Sequence, residues 1–521
     1  MPARRAQTLV SATERLAARA RAHKAHTIDT RTESGGAGTQ AASGAARRSR
    51  KRSRLIGLIV ASAMFMAGLD ASVVVVAMPA MAHTFDVRPV DLNIGITIYI
   101  LAQAVLLPAS GWIADRFGAR RVFALALVGF TVASVLCGGS RTLAEFIGAR
   151  ILQGAAASLM TPIARIVLLK STEKEDLVSV MTISTVPMLI APTFGPAVGG
   201  FIVSYFSWPW IFLLNVPVGI AGVLLVLRFI PRLEESRRPF DVGGFALLAT
   251  ASASLLSGLD LMSTSGGSWR FGGALTAGGL VLGALALRHL ARHPHPVLSL
   301  RATRIATFAA TSLNGGVLVR LPVRALPFVL PLLFEVVLGY SAFYSGLLLL
   351  AMNGGDMLLK TIATRTLRRF GFRSVLMTTS VLMLAGIAAA IVLAAYTSYW
   401  VIFGLLGACG MARSLLFTSM GTLAFADVPH EELGSSTVLW NLVLQITNAC
   451  GVSLAAILMN LTSIVLGEPA GHVTLHNCQV ALLGLVLLGT LSLASFARLS
   501  PRAGAVVSGH RPLSGREPEE I

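Results

Sequence analysis

Apolar runs about as long as a hydrocarbon layer is thick alternate with short polar segments from Leu55 to Arg498. A helix needs about 20 apolar residues to cross such a layer. On this measure the spans are 55–81, 92–113, 121–139, 143–168, 177–204, 209–230, 242–262, 271–290, 305–337, 343–362, 374–395, 398–424, 434–466 and 478–498, fourteen in all. The pattern predicts an all-α membrane protein. The runs are rich in Gly, Ala, Ser and Thr, which let helices approach closely where hydrophobicity cannot drive association. Prolines at 162, 187, 192, 196, 217, 322, 327 and 331 lie in or beside spans. They free backbone carbonyls and kink helices, which suits a cavity or a moving part.

The polar segments test the count. With the cationic stretch 47–54 placed inside, alternate segments carry 26 Lys and Arg, while the opposite set carries only Arg88, Arg141 and Arg270. Losing one helix would scramble that contrast, so the positive-inside rule supports fourteen spans with both termini cytoplasmic. Composition agrees. Of 521 residues 54% are hydrophobic and 13% charged, about half the charge of a soluble protein. The net charge of +19 does not imply nucleic acid, because the cations sit between apolar runs and in the N-terminal tail. Residues 1–54 are Arg-, Ala- and Ser-rich and read as a disordered tail, with 9–22 able to form a basic amphipathic helix on lipid. The first apolar run starts near Leu55, too late and too long for a cleavable signal peptide. Cys137, Cys409, Cys450 and Cys478 show no paired spacing, so neither a disulfide framework nor a metal site is implied.

Several polar groups stand out against this apolar background. Between the second and third runs, Gly111-Trp-Ile-Ala-Asp115-Arg116-Phe-Gly118-Ala-Arg120-Arg121 places a carboxylate, three cations and two glycines in a tight turn. Asp115 can pair with an arginine or sit on a helix N-terminus, a contact that one conformation makes and another breaks. Asp70 lies deep in the first span, where an ionised carboxylate costs a few kcal/mol or more. It reads as a proton carrier or as a structural hydrogen-bond partner within the bundle. Arg150, Gln153 and Gly154 share one face of the fourth span. A buried arginine there needs a carboxylate partner and can tune its proton affinity. Arg165, farther along, reads as snorkelling. Ala191-Pro-Thr-Phe-Gly195-Pro196-Ala-Val-Gly199-Gly200 combines a kink with a smooth helix surface, and Trp208-Pro-Trp-Ile-Phe-Leu-Leu-Asn215-Val-Pro217-Val-Gly219 follows it. In the second half, Arg320 and Arg324 fall on one face near Asn314. Asp356 and Arg413 line a cavity or pair internally, and Trp440, Asn441 and Gln445 form a polar, aromatic face suited to cavity contacts or to helix–helix hydrogen bonding. Residues 365–375, Arg-Thr-Leu-Arg-Arg-Phe-Gly-Phe-Arg-Ser-Val, weakly echo 116–122.

The 111–121 stretch resembles the signature loop of the major facilitator superfamily. The stretches at 69–79, 150–154, 191–200 and 208–219 are similar to motifs of its 14-helix drug:proton antiporters (EmrB/QacA type). Leu326-Pro-Phe-Val-Leu-Pro-Leu-Leu-Phe-Glu335 and Gly339-Tyr340 resemble a multidrug-transporter subgroup of that family. The resemblance implies the major facilitator fold, with six-helix halves at 55–232 and 301–500. Two inserted helices occupy 233–300, and tails lie at 1–54 and 501–521. It implies proton coupling through Asp70, Arg150 and Gln153, a conformational switch at 111–121, and an antiporter motif at Gly195, Pro196, Gly199 and Gly200. It further implies a monomer in the inner membrane that uses a proton gradient and no cofactor. Its partners would be a small amphipathic molecule, protons and the lipid bilayer, not nucleic acid; a periplasmic adaptor is left open. Nothing resembles a nucleotide-binding loop, a catalytic triad or a metal cluster, so no enzyme is expected. The rival readings are a membrane sensor or scaffold that keeps the fold, and a metabolite uniporter or importer.

Overall fold

The computed structural model describes residues 53–508 apart from 71, 75, 88–91, 173–175, 232–238, 264–267, 361, 394–397 and 468–472. The tail, with its candidate amphipathic segment at 9–22, lies outside the described residues. The long helices are α1 (Ser53–Val74), α2 (Ile94–Phe117), α3 (Ala119–Gly139), α4 (Leu143–Ser171), α5 (Leu177–Tyr205), α6 (Trp210–Phe229) and α7 (Val242–Ser263). They continue with α8 (Trp269–Arg292), α9 (Ala306–Val337), α10 (Ala342–Lys360), α11 (Ala363–Leu393), α12 (Tyr399–Ala426), α13 (Leu433–Leu466) and α14 (Leu475–Ala497). Twelve of these runs are long and apolar enough to cross a bilayer. The other two predicted stretches, 177–204 and 343–362, fall on α5 and α10, of 29 and 19 residues.

Local chemistry explains where helices start and stop. Thr142, Ser268 and Thr474 cap α4, α8 and α14, each side chain accepting a backbone N–H three residues on. The signature stretch is not the loop its charges suggest. Ser110–Phe117 is helical and closes α2; Gly118 alone breaks the path, at φ 84° and ψ 118°, before α3 begins at Ala119. A side chain is strained at such angles, so glycine makes a one-residue reversal available. The echo at 365–375 behaves likewise. Helix α11 begins earlier than the predicted 374 and kinks at Gly371, φ 73°. The Phe-Gly step therefore has the same left-handed signature in both places.

Helices α2, α3, α4 and α6 pack on one another, and so do α9 to α14. Across these groups, α13 lies against α2 and α4, while α5 lies against α10 and α12. Helices α7 and α8 pair with each other, and α7 also touches α2 and α13, where Ser453 Oγ donates to Leu259 O at 3.1 Å. Helix α8 is only 17% buried, as expected for a helix at the lipid-facing rim. Leu125, Leu224, Leu280 and Leu487 are among many large apolar side chains left exposed on the outside. In water they would be a liability; in a bilayer they face the solvent that suits them.

Candidate functional site

The deepest polar cluster assembles around Asp70. Arg150 NH1 donates to Asp70 Oδ2 at 2.8 Å, Gln153 Nε2 to Asp70 Oδ1 at 2.8 Å, and Asn215 Nδ2 to the same oxygen at 3.4 Å. Arg150 also donates from Nε to Gly95 O at 3.1 Å and from NH1 to Gln153 Oε1 at 2.6 Å, with its guanidinium carbon 4.4 Å from the Tyr99 ring centroid. Ser134 Oγ accepts from both Gln153 (3.0 Å) and Asn215 (3.2 Å). Five helices thus contribute to one network. Asp70 is 3% exposed and Arg150 1%, so neither charge can be stabilised by water. Removing one partner from such a pair costs about 3–5 kcal/mol, because the other ion stays buried and unpaired. The i, i+3 spacing of Arg150 and Gln153 aims both at Asp70. At i+4, Gly154 lets α2 come close: a Cβ there would lie 2.4 Å from Tyr99 O. Asp70, Arg150 and Gln153 are brought together as the sequence reading expects. Asn215, Ser134 and Tyr99 are additions to it. The Trp208–Gly219 motif thereby acquires physical content, because Trp208 Nε1 donates to Thr84 Oγ1 at 2.9 Å and holds the segment that delivers Asn215.

The glycine motif supports the same corner. A Cβ on Gly195 would lie 1.9 Å from Ser72 Oγ, and one on Gly199 2.8 Å from Val73 Cγ1. These two glycines admit α1 against α5 within a turn of Asp70. Gly200 has only a loose contact, to Val76, and the side chain of Pro196 lies outside the described residues.

At the far end of α2, Asp115 Oδ1 lies 3.4 Å from Lys170 Nζ and makes no ion pair with an arginine among the described residues. Its carboxylate also faces the first turn of α13, where a Cβ on Gly434 would sit 3.4 Å from Oδ2. A helix start carries a partial positive charge, which a carboxylate stabilises. Gly111 packs on the same helix, against Val438. Arg120 donates to Leu227 O; Arg116 and Arg121 are exposed. Nearby, the fold brings ligand atoms of Asp241, His289 and His293 within 4.8 Å of one another, a grouping that residue spacing does not reveal.

In the second group of helices, Arg413 Nε donates to Asp356 Oδ2 at 3.0 Å and Arg413 NH2 to Asn353 Oδ1 at 2.9 Å. Lys360, 4% exposed, lies 3.9 Å from the other carboxylate oxygen. Asp356 and Arg413 therefore pair internally. Asn314 is exposed, not part of a buried face with Arg320. Asn441 bonds its own helix, donating to Thr437 O at 2.9 Å, while Gln445 Nε2 donates to Gln103 Oε1 at 3.0 Å and so ties α13 to α2. Arg165 does not snorkel outward. Its guanidinium carbon lies 5.5 Å from the Trp440 ring centroid and 5.8 Å from that of Phe425. Arg320 stands over the same Trp440 ring at 4.5 Å, and Arg324 lies 5.5 Å from Phe417.

The chain belongs to the Major Facilitator Superfamily, whose family model matches residues 60–452. It is 39% identical over 422 residues to the "Putative multidrug resistance protein MdtD" of Serratia proteamaculans, covering 80% of this chain and 87% of that one. The protein of the same name from Cronobacter sakazakii is 38% identical over 407 residues, covering 77% and 85%. Among solved structures, a double-tryptophan mutant of XylE matches with a TM-score of 0.61 at 13% identity, over 87% of this chain and 98% of that one. The human organic anion transporter MFSD10 gives 0.56 at 16%, over 86% and 99%. These two likenesses show the fold alone. The chain is a multi-pass membrane transporter and not an enzyme.

Proposed function

We propose that this protein is a proton-coupled antiporter that exports amphipathic small molecules from the cytoplasm across the inner membrane by alternating access. The observation that carries the reading is the sealed Asp70–Arg150 pair, with Gln153 and Asn215 as further donors to the carboxylate. Protonating Asp70 removes the charge that holds Arg150 and leaves the arginine's donors seeking other acceptors. A proton therefore changes which helices are tied together, and that is the requirement for coupling. The name carried by the relatives supports a drug-like substrate. In this reading the 111–121 end faces the cytoplasm, as its cations favour, the Asp115 contact with α13 closes that end, and one chain works alone.

The test is substrate-driven proton movement in proteoliposomes, read with a pH dye, beside accumulation assays in a pump-deficient host with and without a protonophore. Wild type is expected to move protons when substrate is added. Asp70→Asn, which keeps the shape and removes the charge, is expected to lose that signal while still binding substrate. A wild-type signal in Asp70→Asn would take this residue out of coupling.

A further inference from the structure

The two buried carboxylates of the spans, Asp70 and Asp356, are each held by an arginine. Three other inward cations make no ion pair among the described residues, although Asp356 acts on Arg324 from a distance. Arg165, Arg320 and Arg324 make no salt bridge or hydrogen bond among the described residues, and Arg165 NH1, Arg320 NH1 and Arg324 Nε are buried donors without an acceptor. The indole Nε1 of Trp440, between Arg165 and Arg320, is a fourth. Arg320 is 2% exposed and Trp440 4%. The stacking on Trp440, Phe425 and Phe417 attracts the cations to ring faces but uses none of their N–H groups. A guanidinium remains charged at any working pH, so these groups cannot relieve their burial by losing a proton. Arg165 belongs to α4, Arg320 and Arg324 to α9 and Trp440 to α13. The trio thus spans the two groups of helices that alternating access moves apart, and its like charges repel across that junction. What the geometry lacks is a negatively charged group with several acceptor oxygens and an apolar body to lie on the aromatic rings.

We infer that the transported molecule is an organic anion, a carboxylate or similar oxyanion with an aromatic or otherwise apolar portion, held by Arg165, Arg320 and Arg324 against Trp440. This rests on the transporter reading above and gives it a substrate class. Binding neutralises the repulsion and draws α4 toward α9. The anion site is separate from Asp70 and Arg150, so substrate and proton act on different pairs of helices.

The test uses the full chain, purified in detergent, with three probes of one shape: 1-naphthylacetate, its neutral amide, and a naphthyl quaternary ammonium. Thermal unfolding is the readout, at fixed ionic strength. The carboxylate is expected to raise the midpoint saturably, by several degrees, and the amide and the cation are not. Arg320→Gln and, separately, Arg165→Gln are expected to lose that shift. Each should also unfold at a higher temperature than wild type without ligand, since each removes an uncompensated buried charge; a purely structural arginine would do the reverse. Equal stabilisation by the ammonium probe, a full effect from chloride alone, or an unchanged carboxylate shift in both variants would overturn the inference. Transport of the same probes in proteoliposomes separates the two readings. Pumping of the cation with no carboxylate binding sinks the anion assignment and keeps the transporter. Carboxylate binding without movement under a proton gradient sinks proton-driven transport and keeps the anion site.

Discussion

At the scale of single residues, the site divides into groups whose charge announces them and groups that only the fold recruits. Asp70 and Arg150 are conspicuous because an ion inside an apolar run has no cheap solution except a partner. Asn215 is different: one amide in a span is commonplace, and nothing along the chain links it to a carboxylate 145 positions earlier. Ser134 and Tyr99 are hidden for the same reason. The arginines were visible as charges but their company was not. Arg165 could have reached the membrane edge by its length, and only the packing of α4 on α13 turns it toward Trp440. Asn215→Ala should therefore fold, with a stability loss of about 1.5–3 kcal/mol, the usual range for a hydrogen bond to a charged group. If the same contact contributes fully to the coupling step, proton-driven transport falls about tenfold for each 1.4 kcal/mol. Midpoint unfolding temperature and proteoliposome flux measure the two effects; a variant indistinguishable from wild type in both would make Asn215 a bystander.

At the scale of elements, apolar run length located the helices well and the turns poorly. Run length is set by the bilayer and survives without knowledge of packing. Turns depend on one residue's backbone angles, which is why the 111–121 stretch, charged and glycine-bearing, reads as a loop although only Gly118 leaves the helix. The inserted pair α7–α8 shows how a hairpin at the membrane edge is fixed. Asp241, just before α7, accepts from the N–H groups of Gly244 at 2.8 Å and Val297 at 3.2 Å, and lies 2.9 Å from His289 Nε2 on α8. Burial alone would raise its pKa, but the Gly244 N–H, the His289 ring and the Val297 N–H favour the carboxylate and hold it below the ordinary carboxylate value. A folded-state pKa that is depressed adds stability at pH values above the unfolded pKa, about 3.9, and that stability is lost as pH falls through the folded pKa. Asp241→Asn should thus be less stable than wild type at pH values above about 3.9, with the margin shrinking as pH falls through the folded pKa of Asp241. Thermal unfolding across pH measures it; a margin that failed to shrink in buffers more acid than about pH 3.9 would contradict the assignment.

At the scale of the whole molecule, the two groups of helices meet at distinct places with distinct chemistry. Gln445 to Gln103 joins α13 to α2 through neutral amides. The arginine trio meets between α4, α9 and α13, where its like charges repel while the Trp440 ring attracts Arg165 and Arg320. Asp115 joins the end of α2 to the start of α13 and to Lys170 through charge. Of these, the Asp115 contact is the easiest to break: it is partly exposed, so water can replace either partner at modest cost, whereas the Asp70 network cannot open without stranding an ion. If the proposed alternating-access cycle opens this end, locking Asp115 to α13 stops it. A Cβ placed on Gly434 lies 3.8 Å from Asp115 Cγ, so short side chains at the two positions touch. In a background where Cys137, Cys409, Cys450 and Cys478 are replaced, Asp115→Cys with Gly434→Cys should cross-link under mild oxidation, abolish transport and recover when reduced. Should the loss of Asp115 itself silence the reduced protein, Gly111→Cys with Val438→Cys makes the same lock, because a Cβ on Gly111 lies 3.0 Å from Val438 Cγ2. Transport that continues undiminished through a quantitatively cross-linked protein would mean that this end does not open during the cycle, and the Asp115 contact would then be a structural pin and not a gate.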